Sequence, residues 1–161
     1  MKVINNKVFF YGSSEVFSNW YRCRFTMDDI EFNCSEQAMM YYKAMFFNDS
    51  KTAEKILSAK NPREQKLLGR IVIGFDEDAW EKVREQIVYN VLKEKFTQNK
   101  VLKQELLKYE NYQFVEASPY DKIWGIGLSE DNDLILDESK WKGQNLLGNC
   151  LTKLKDDLLK S

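Results

Sequence analysis

The chain contains no histidine. That excludes the usual nucleophile–histidine–carboxylate triads, the HExxH zinc site and most catalytic zinc sites. Any acid–base chemistry must come from Asp, Glu, Lys, Tyr, Cys or water. The first residues to answer that requirement are Glu36 and Lys43, in the segment Ser35-Glu36-Gln37-Ala38-Met39-Met40-Tyr41-Tyr42-Lys43-Ala44. They stand seven residues apart, nearly two helical turns, so both project from one face with Met39 and Met40 on or near it. A carboxylate and an amine flanking an apolar floor suit a reaction site. They also suit an ordinary helix, with Glu36 complementing the dipole of the first turn and Lys43 laying its stem along apolar surface.

Three further clusters carry polar groups beside aromatics or glycines. After Gly12 comes Phe17-Ser18-Asn19-Trp20, short donors and acceptors between two rings; taken alone it reads as a turn with core aromatics. Leu68-Gly69-Arg70 offers a guanidinium that can grip phosphate bidentately, although a surface ion pair is the commoner fate of a lone arginine. The run from Glu116 through Ser118-Pro119-Tyr120-Asp121-Lys122-Ile123-Trp124-Gly125-Ile126-Gly127 is the most telling. Gly125 and Gly127 let backbone approach a ligand closely. Trp124 can stack on a base or sugar, and Asp121 can act as acid or base. The alternative is a tight turn around a core Trp, but so bulky a residue in a glycine turn is hard to explain by packing alone.

The elements that must position these groups are short. Lys7–Tyr11 reads as a strand, Gly12-Ser13-Ser14 as a loop, and Arg22–Asn33 as a hairpin turning at Asp28-Asp29. Ser35 is the expected cap of a helix from Glu36 to about Phe47. A second helix fits Lys51–Ala59. Asn61-Pro62 opens a third, running to about Val72. The spacing of Trp80, Val83, Ile87, Val91 and Leu92 predicts a helix over Asp78–Phe96. A shorter helix is expected over Val101–Tyr109 and a strand over Tyr112–Ala117. A turn-rich segment then runs to Gly143-Gln144-Asn145. The last helix is expected from Leu146 to about Leu159, with Leu147, Leu151, Leu154 and Leu158 on one side. The predicted class is α+β, one mostly helical domain over residues 1–161 with a small β-sheet.

Composition bounds the function. At 161 residues the chain fits one domain. Its 43% hydrophobic, 14% aromatic and 30% charged residues describe a globular protein. With 24 basic and 25 acidic residues it lacks the excess of positive charge that binding long nucleic acid by its phosphates usually needs. A local basic pocket for one phosphate or diphosphate remains compatible. Residues 1–6 are polar and give no signal peptide, and no apolar run is long enough to span a bilayer. Cys23, Cys34 and Cys150 show no metal-ligand spacing, and their odd number argues against a complete disulfide framework. A cytoplasmic location follows most simply.

Taken in order, these clusters resemble the NADAR/YbiA-like family over nearly the whole chain, from Phe10 to the final helix. The resemblance rests on Phe17-Ser18-Asn19, the Ser35-Glu36-Gln37 to Lys43 helix, Leu68-Gly69-Arg70, Lys95-Phe96, Leu106-Leu107, Val115-Glu116, Asp121 with Trp124-Gly125-Ile126-Gly127, and Trp141 with Gly143-Gln144-Asn145-Leu147-Gly148. Some relatives carry Glu-His where this chain has Glu36-Gln37, and a neutral amide cannot titrate, so Gln37 receives no proton-transfer role. The last helix of relatives often carries an arginine where Lys155 stands, and lysine grips phosphate less directionally.

The resemblance implies an N-glycosidase acting where ribose is bonded to an exocyclic amine. Two substrate types follow from it: ADP-ribosyl-guanine, as nucleoside or in DNA, and the ribosylaminouracil phosphate intermediates of riboflavin synthesis. Such an N-riboside can open to an imine, so a lysine that is neutral part of the time can exchange with the leaving amine. Lys43 is the expected nucleophile, and binding phosphate is its rival role. Glu36 is expected to shuttle protons and Asp121 to hold ribose hydroxyls, although the sequence does not order the two carboxylates. A direct displacement would also use both. Trp124 stacks, Asn19 and Arg70 bind polar substrate atoms, and Gly12, Phe17, Ser18, Gly125, Gly127 and Asn145 complete the binding set. No metal or organic cofactor is needed. The expected partner is a nucleotide-like small molecule, with ADP-ribosylated DNA as the larger alternative and no membrane. A non-catalytic ADP-ribose-binding module would keep Trp124, Asn19 and Arg70 but make Glu36 and Lys43 dispensable. A purely structural helical domain leaves the Asp121–Gly127 segment unexplained.

Overall fold

Two asparagines set the first turn: Asn5 and Asn6 both adopt left-handed backbone, with φ of 52° and 60°, as the tight hairpin turn requires. They join β1 (Lys2–Ile4) to β2 (Lys7–Phe10), with Val3 opposite Val8. β2 falls where a strand was expected, whereas β1 was not expected, because a three-residue edge strand carries almost no alternation. The computed structural model describes residues 1–161. Its contacts sort into two units, Met1–Ser18 with Lys100–Ser161, and Asn19–Asn99. The second unit is therefore inserted, in sequence, between the two halves of the first.

In the first unit β2 also pairs, in parallel, with β5 (Gln113–Glu116), with Phe9 opposite Val115. The three strands lie in the order β1-β2-β5. On them packs a core of Phe9, Val115, Ala117, Ile126, Leu128 and Ile135, closed by Trp141. Helix α5 (Lys100–Leu107) precedes β5, and α6 (Leu146–Lys160) packs against it. The turn-rich segment contains two short 3-10 turns, Asp133–Leu136 and Glu138–Lys140, capped by the side chains of Asn132 and Asp137. Lys155, on α6, is 2% exposed and donates to the Tyr112 carbonyl. It holds the start of β5, which is a structural use of its charge.

The second unit holds the hairpin β3 (Phe25–Met27) and β4 (Ile30–Phe32) and four helices. Asp28 and Asp29, with φ of 51° and 62°, make the turn that the sequence predicted. Helix α1 spans Ser35–Phe46, and its cap is Cys34, not Ser35. Cys34 is the residue with extended backbone, and its Sγ accepts from the Gln37 amide at 3.4 Å. Burial pushes the Cys34 thiol up to about 12, so it stays protonated and donates to Gln65 Oε1 at 3.1 Å. The Gln37 amide side chain donates to the Ile56 carbonyl at 3.1 Å and accepts from the Asn33 amide at 2.8 Å. Its work is to close the end of α2 onto α1.

Helix α2 (Ser50–Ser58) is capped by Asp49. Helix α3 (Pro62–Gly69) opens as expected on Asn61, whose side chain accepts from the Glu64 amide at 2.9 Å. It ends at Gly69, three residues before the expected Val72. A glycine followed by the β-branched run Ile71-Val72-Ile73 is a poor continuation. Helix α4 spans Glu77–Gln98. Its buried face is Trp80, Arg84, Val88, Val91, Leu92, Lys95 and Phe96. Val83 and Ile87, expected on the apolar stripe, sit beside that face, and two charged residues occupy it. Lys95 is fully buried, and burial lowers its amine to about 8.

Asp49 does more than cap α2. One carboxylate oxygen accepts from the Thr52 amide at 3.1 Å and the other from the Ile73 amide at 2.9 Å. The Thr52 side chain, the Ile73 amide and the Thr52 amide together hold its carboxyl below the usual aspartate range. A lowered folded-state pKa stabilises above the unfolded pKa, and the contribution is lost as pH falls through the folded value. Asp49→Asn is therefore expected to lower Tm at neutral pH. The difference from the wild type should shrink as pH drops below the ordinary aspartate range, which thermal melts from pH 7 to pH 2 would measure. A difference constant across that range would remove the assigned linkage.

Candidate active site

Helix α1 enters the second unit with a run of buried polar residues. Ser35 is 1% exposed, Glu36 4% and Gln37 2%. The Glu36 amide donates to the Asn19 carbonyl at 2.9 Å, which fixes Asn19 beside the start of the helix. Asn19 is itself 6% exposed. Its side-chain oxygen and the Ser35 hydroxyl are buried without a hydrogen-bond partner. Unsatisfied buried polar atoms are costly, and here two belong to residues joined to Glu36, one in sequence and one through the Glu36 amide. Asn19 was expected to bind substrate, and Ser35 only to cap the helix. Once Cys34 takes the cap, the Ser35 hydroxyl is left over, a consequence that becomes visible only with the helix boundary.

Two turns along α1, Lys43 is half-buried. Its Nζ lies 4.5 Å from the centre of the Phe75 ring and 6.0 Å from that of Trp80. Burial pushes its amine below the ordinary lysine range, and Arg70 adds to the lowering. Glu36 and Glu77 act in the opposite direction. The field at Lys43 thus registers four elements: α1 through Glu36, the residue after α3 through Arg70, the start of α4 through Glu77, and the loop carrying Phe75. Arg70, at the C-terminal cap of α3, is exposed, so its guanidinium is available to an anion. Behind it, Gly69 lets α3 press on α1. A Cβ there would fall 1.9 Å from the Met40 sulfur. Glu36, Lys43 and Arg70, predicted from separate motifs, are brought into one electrostatic neighbourhood, and Phe75, Trp80 and Glu77 join them. None of the last three was a predicted site residue, and Trp80 was expected only on the apolar stripe of α4.

The remaining predicted residues belong to the first unit. Gly12 has φ +98° and open space where a side chain would stand. The Ser18 amide donates to the Glu15 carbonyl at 3.0 Å. Phe17, expected to touch substrate, is 1% exposed, and its ring packs on Phe10, Phe114 and Tyr109. Its aromatic surface belongs to the core. Asp121 Oδ1 accepts from the amides of Ile123 at 2.9 Å and Trp124 at 2.8 Å. That carboxylate builds the turn that presents Trp124, which is half-buried rather than enclosed. A side chain at Gly125 would meet the Glu116 and Asp121 carbonyls at 2.9 and 3.0 Å, and Gly127 takes φ +72°. Asn145, itself left-handed at φ 54°, accepts from the Glu116 amide and donates to the Phe114 carbonyl, each at 3.0 Å. Its amide continues the edge of β5. Asp121, Trp124, Gly125 and Asn145 thus form one hydrogen-bonded corner after β5.

No group of three or more cysteines, aspartates and glutamates gathers with metal-binding geometry, and no helix is long and apolar enough to cross a membrane. All three cysteines are free thiols.

The mostly helical α+β fold has a solved counterpart, and the sequence has curated relatives. The solution NMR structure of the Escherichia coli protein YbiA superimposes with a TM-score of 0.79 at 28% identity, over 98% of this chain and 88% of that one. The N-glycosidase R617 of Acanthamoeba polyphaga mimivirus is 37% identical over 93% of this chain and 95% of its own length. The protein irg-1 of Caenorhabditis elegans is 37% identical over 94% of this chain and 79% of its own. These similarities define the class as that of the N-glycosidases, which are hydrolases. The NADAR domain model matches residues 9–159, across both units, and the chain belongs to the NADAR family.

Proposed function

We propose that this chain hydrolyses the bond between ribose C1 and an exocyclic amine, with ADP-ribosyl-guanine as its substrate and Lys43 as its nucleophile. The observation that carries this reading is the pairing on α1 of a half-buried lysine, its amine lowered by burial, with the buried Glu36 carboxylate. Arg70 suits the diphosphate of an ADP-ribosyl group. The free thiols suit a reducing cytoplasm.

A proton delivered from Glu36 to the ring oxygen accompanies cleavage of the C1–O bond, and the exocyclic nitrogen's lone pair forms a C1=N iminium. The neutral Lys43 amine adds to C1. A proton passes from Nζ to the exocyclic nitrogen, the C1–N bond to the base breaks, and the base leaves as its free amine. The lysine iminium then takes water at C1, with Glu36 accepting the proton. The C1 hydroxyl proton passes to Nζ, the C1–Nζ bond breaks as C1=O forms, and the ribose aldehyde is released to close its ring. The net change is addition of one water across the N-glycosidic bond. The unpartnered Asn19 side-chain oxygen and Ser35 hydroxyl suit donors and acceptors on the sugar or that water.

The test offers the protein ADP-ribosyl-guanosine and, separately, ribosylaminouracil phosphate, and follows both by mass spectrometry. Release of guanosine with ADP-ribose is expected from the first. Glu36→Gln should reduce it by about 10²- to 10⁴-fold. Turnover of the ribosylaminouracil alone would replace the substrate and keep the bond type. Tight binding of either without turnover would overturn the enzyme reading in favour of a binding module.

A further inference from the structure

Only one of the two rings beside Lys43 Nζ belongs to the core. Trp80 is 6% exposed, whereas Phe75 is 40% exposed yet lies closer, at 4.5 Å. Phe75 sits on the loop between α3 and α4, and that loop is fixed at both ends. The Ile73 amide is held by the buried Asp49 at 2.9 Å, and Asp76 caps α4 by accepting from the Asp78 amide at 3.2 Å. Between them Gly74 takes φ +82°, a conformation that a side chain would strain. Phe75 then packs on Phe47 with ring centres 5.3 Å apart. A large apolar ring left at the surface would ordinarily be free to turn away from a charged group; this one is clamped over an amine.

We propose that Phe75 is a positioning residue for Lys43: its ring, set by Asp49 and Gly74, shields Nζ from bulk water. The proposal rests on Lys43 being the reacting amine. The remaining charges that face Nζ are Glu36 from α1, Arg70 from the end of α3 and Glu77 from α4. Two effects of the ring oppose each other. Keeping water away favours the neutral amine, whereas the π face favours the ammonium. Burial is the largest influence on Lys43 and acts to lower its pKa, so shielding is the effect assigned to the ring.

The test titrates Lys43 directly, by peptide-resolved competitive reductive methylation across pH, in the wild type, Phe75→Ala and Phe75→Leu. No substrate is needed. Phe75→Ala is expected to move the titration of Lys43 to higher pH, and Phe75→Leu, which restores apolar cover without a π face, to stay near the wild type. In turnover assays kcat/KM of Phe75→Ala at neutral pH should fall about tenfold for each unit of that shift and recover as pH rises. Thermal melts confirm that both variants fold. An unchanged titration, or one displaced to lower pH, would overturn the proposal even where the wild type turns over its substrate. A shift as expected in a protein that cleaves no N-riboside would sink the glycosidase reading and leave the shielding intact.

Discussion

Lys43→Ala is expected to abolish catalysis, lowering kcat/KM by roughly a thousandfold or more, with little change in Tm. The second part follows from burial. A half-buried ammonium is only partly solvated, so removing it relieves a desolvation cost while losing modest contacts. Lys43→Arg separates the two roles open to this residue. A guanidinium keeps the positive charge and binds phosphate at least as well, but it does not deprotonate and forms no Schiff base. If Lys43 is the nucleophile, the arginine variant should be as inactive as the alanine variant. If it only grips an anion, arginine should restore much of the activity. Borohydride added during turnover should reduce the imine to a stable secondary amine on Lys43 in the wild type alone. Wild-type activity with no trapped adduct, together with rescue by arginine, would rule out the covalent path. The pH profile has a defined sign as well. Because burial lowers the Lys43 pKa, activity should rise with pH through a value below the ordinary lysine range.

Gly148→Ala should do to stability what the lysine substitution does to catalysis. A Cβ at Gly148 would lie 2.2 Å from the Phe114 carbonyl oxygen and 2.4 and 2.5 Å from the two side-chain heteroatoms of Asn145. None of these can simply swing aside. The Phe114 carbonyl belongs to β5 and already accepts from Asn145 Nδ2, while Asn145 Oδ1 serves the Glu116 amide. Thr152 adds a further tie, donating to the Gly148 carbonyl at 2.8 Å and accepting from the Phe114 amide at 2.9 Å. To admit one methyl group, α6 must retreat from β5 or the Asn145 bridge must open. Overpacking of this kind costs about 1–3 kcal/mol, and a buried hydrogen bond left unmade about 1–3 more. The sum is a large share of a typical domain's stability of about 5–15 kcal/mol. Denaturant unfolding should show a markedly lower midpoint with an unchanged slope. A loss below about 1 kcal/mol would mean that α6 can shift at little cost, and that this close approach is not what fixes the helix on the sheet.

The elements most legible in the sequence were those whose signals are local. Asn61-Pro62 opened α3 where expected, Asp28-Asp29 turned the hairpin, and the periodicity of α4 located its ends within two residues. The errors arose where a neighbour decided the outcome. The cap of α1 moved from Ser35 to Cys34 because Asn33, Gln37 and Gln65 close around that residue. The buried stripe of α4 turned to include Arg84 and Lys95 because the face it meets, not the mean apolarity of the helix, selects what is covered. The strand β1 escaped detection because its identity lies in its pairing with β2.

The candidate site divides in the same way. Residue types and a seven-residue spacing on one helix determined that Glu36 and Lys43 share a face, since helical geometry is fixed by the backbone alone. The ordered motifs determined the family. The tertiary structure decided what those side chains experience. It brought Arg70, Glu77, Trp80 and Phe75 to Lys43 from three other segments, buried Asn19 and Ser35 beside Glu36, and gave Phe17 to the core. A pKa depends on the distances and desolvation created by contacts between residues far apart in sequence, and a chain read along its length does not contain them.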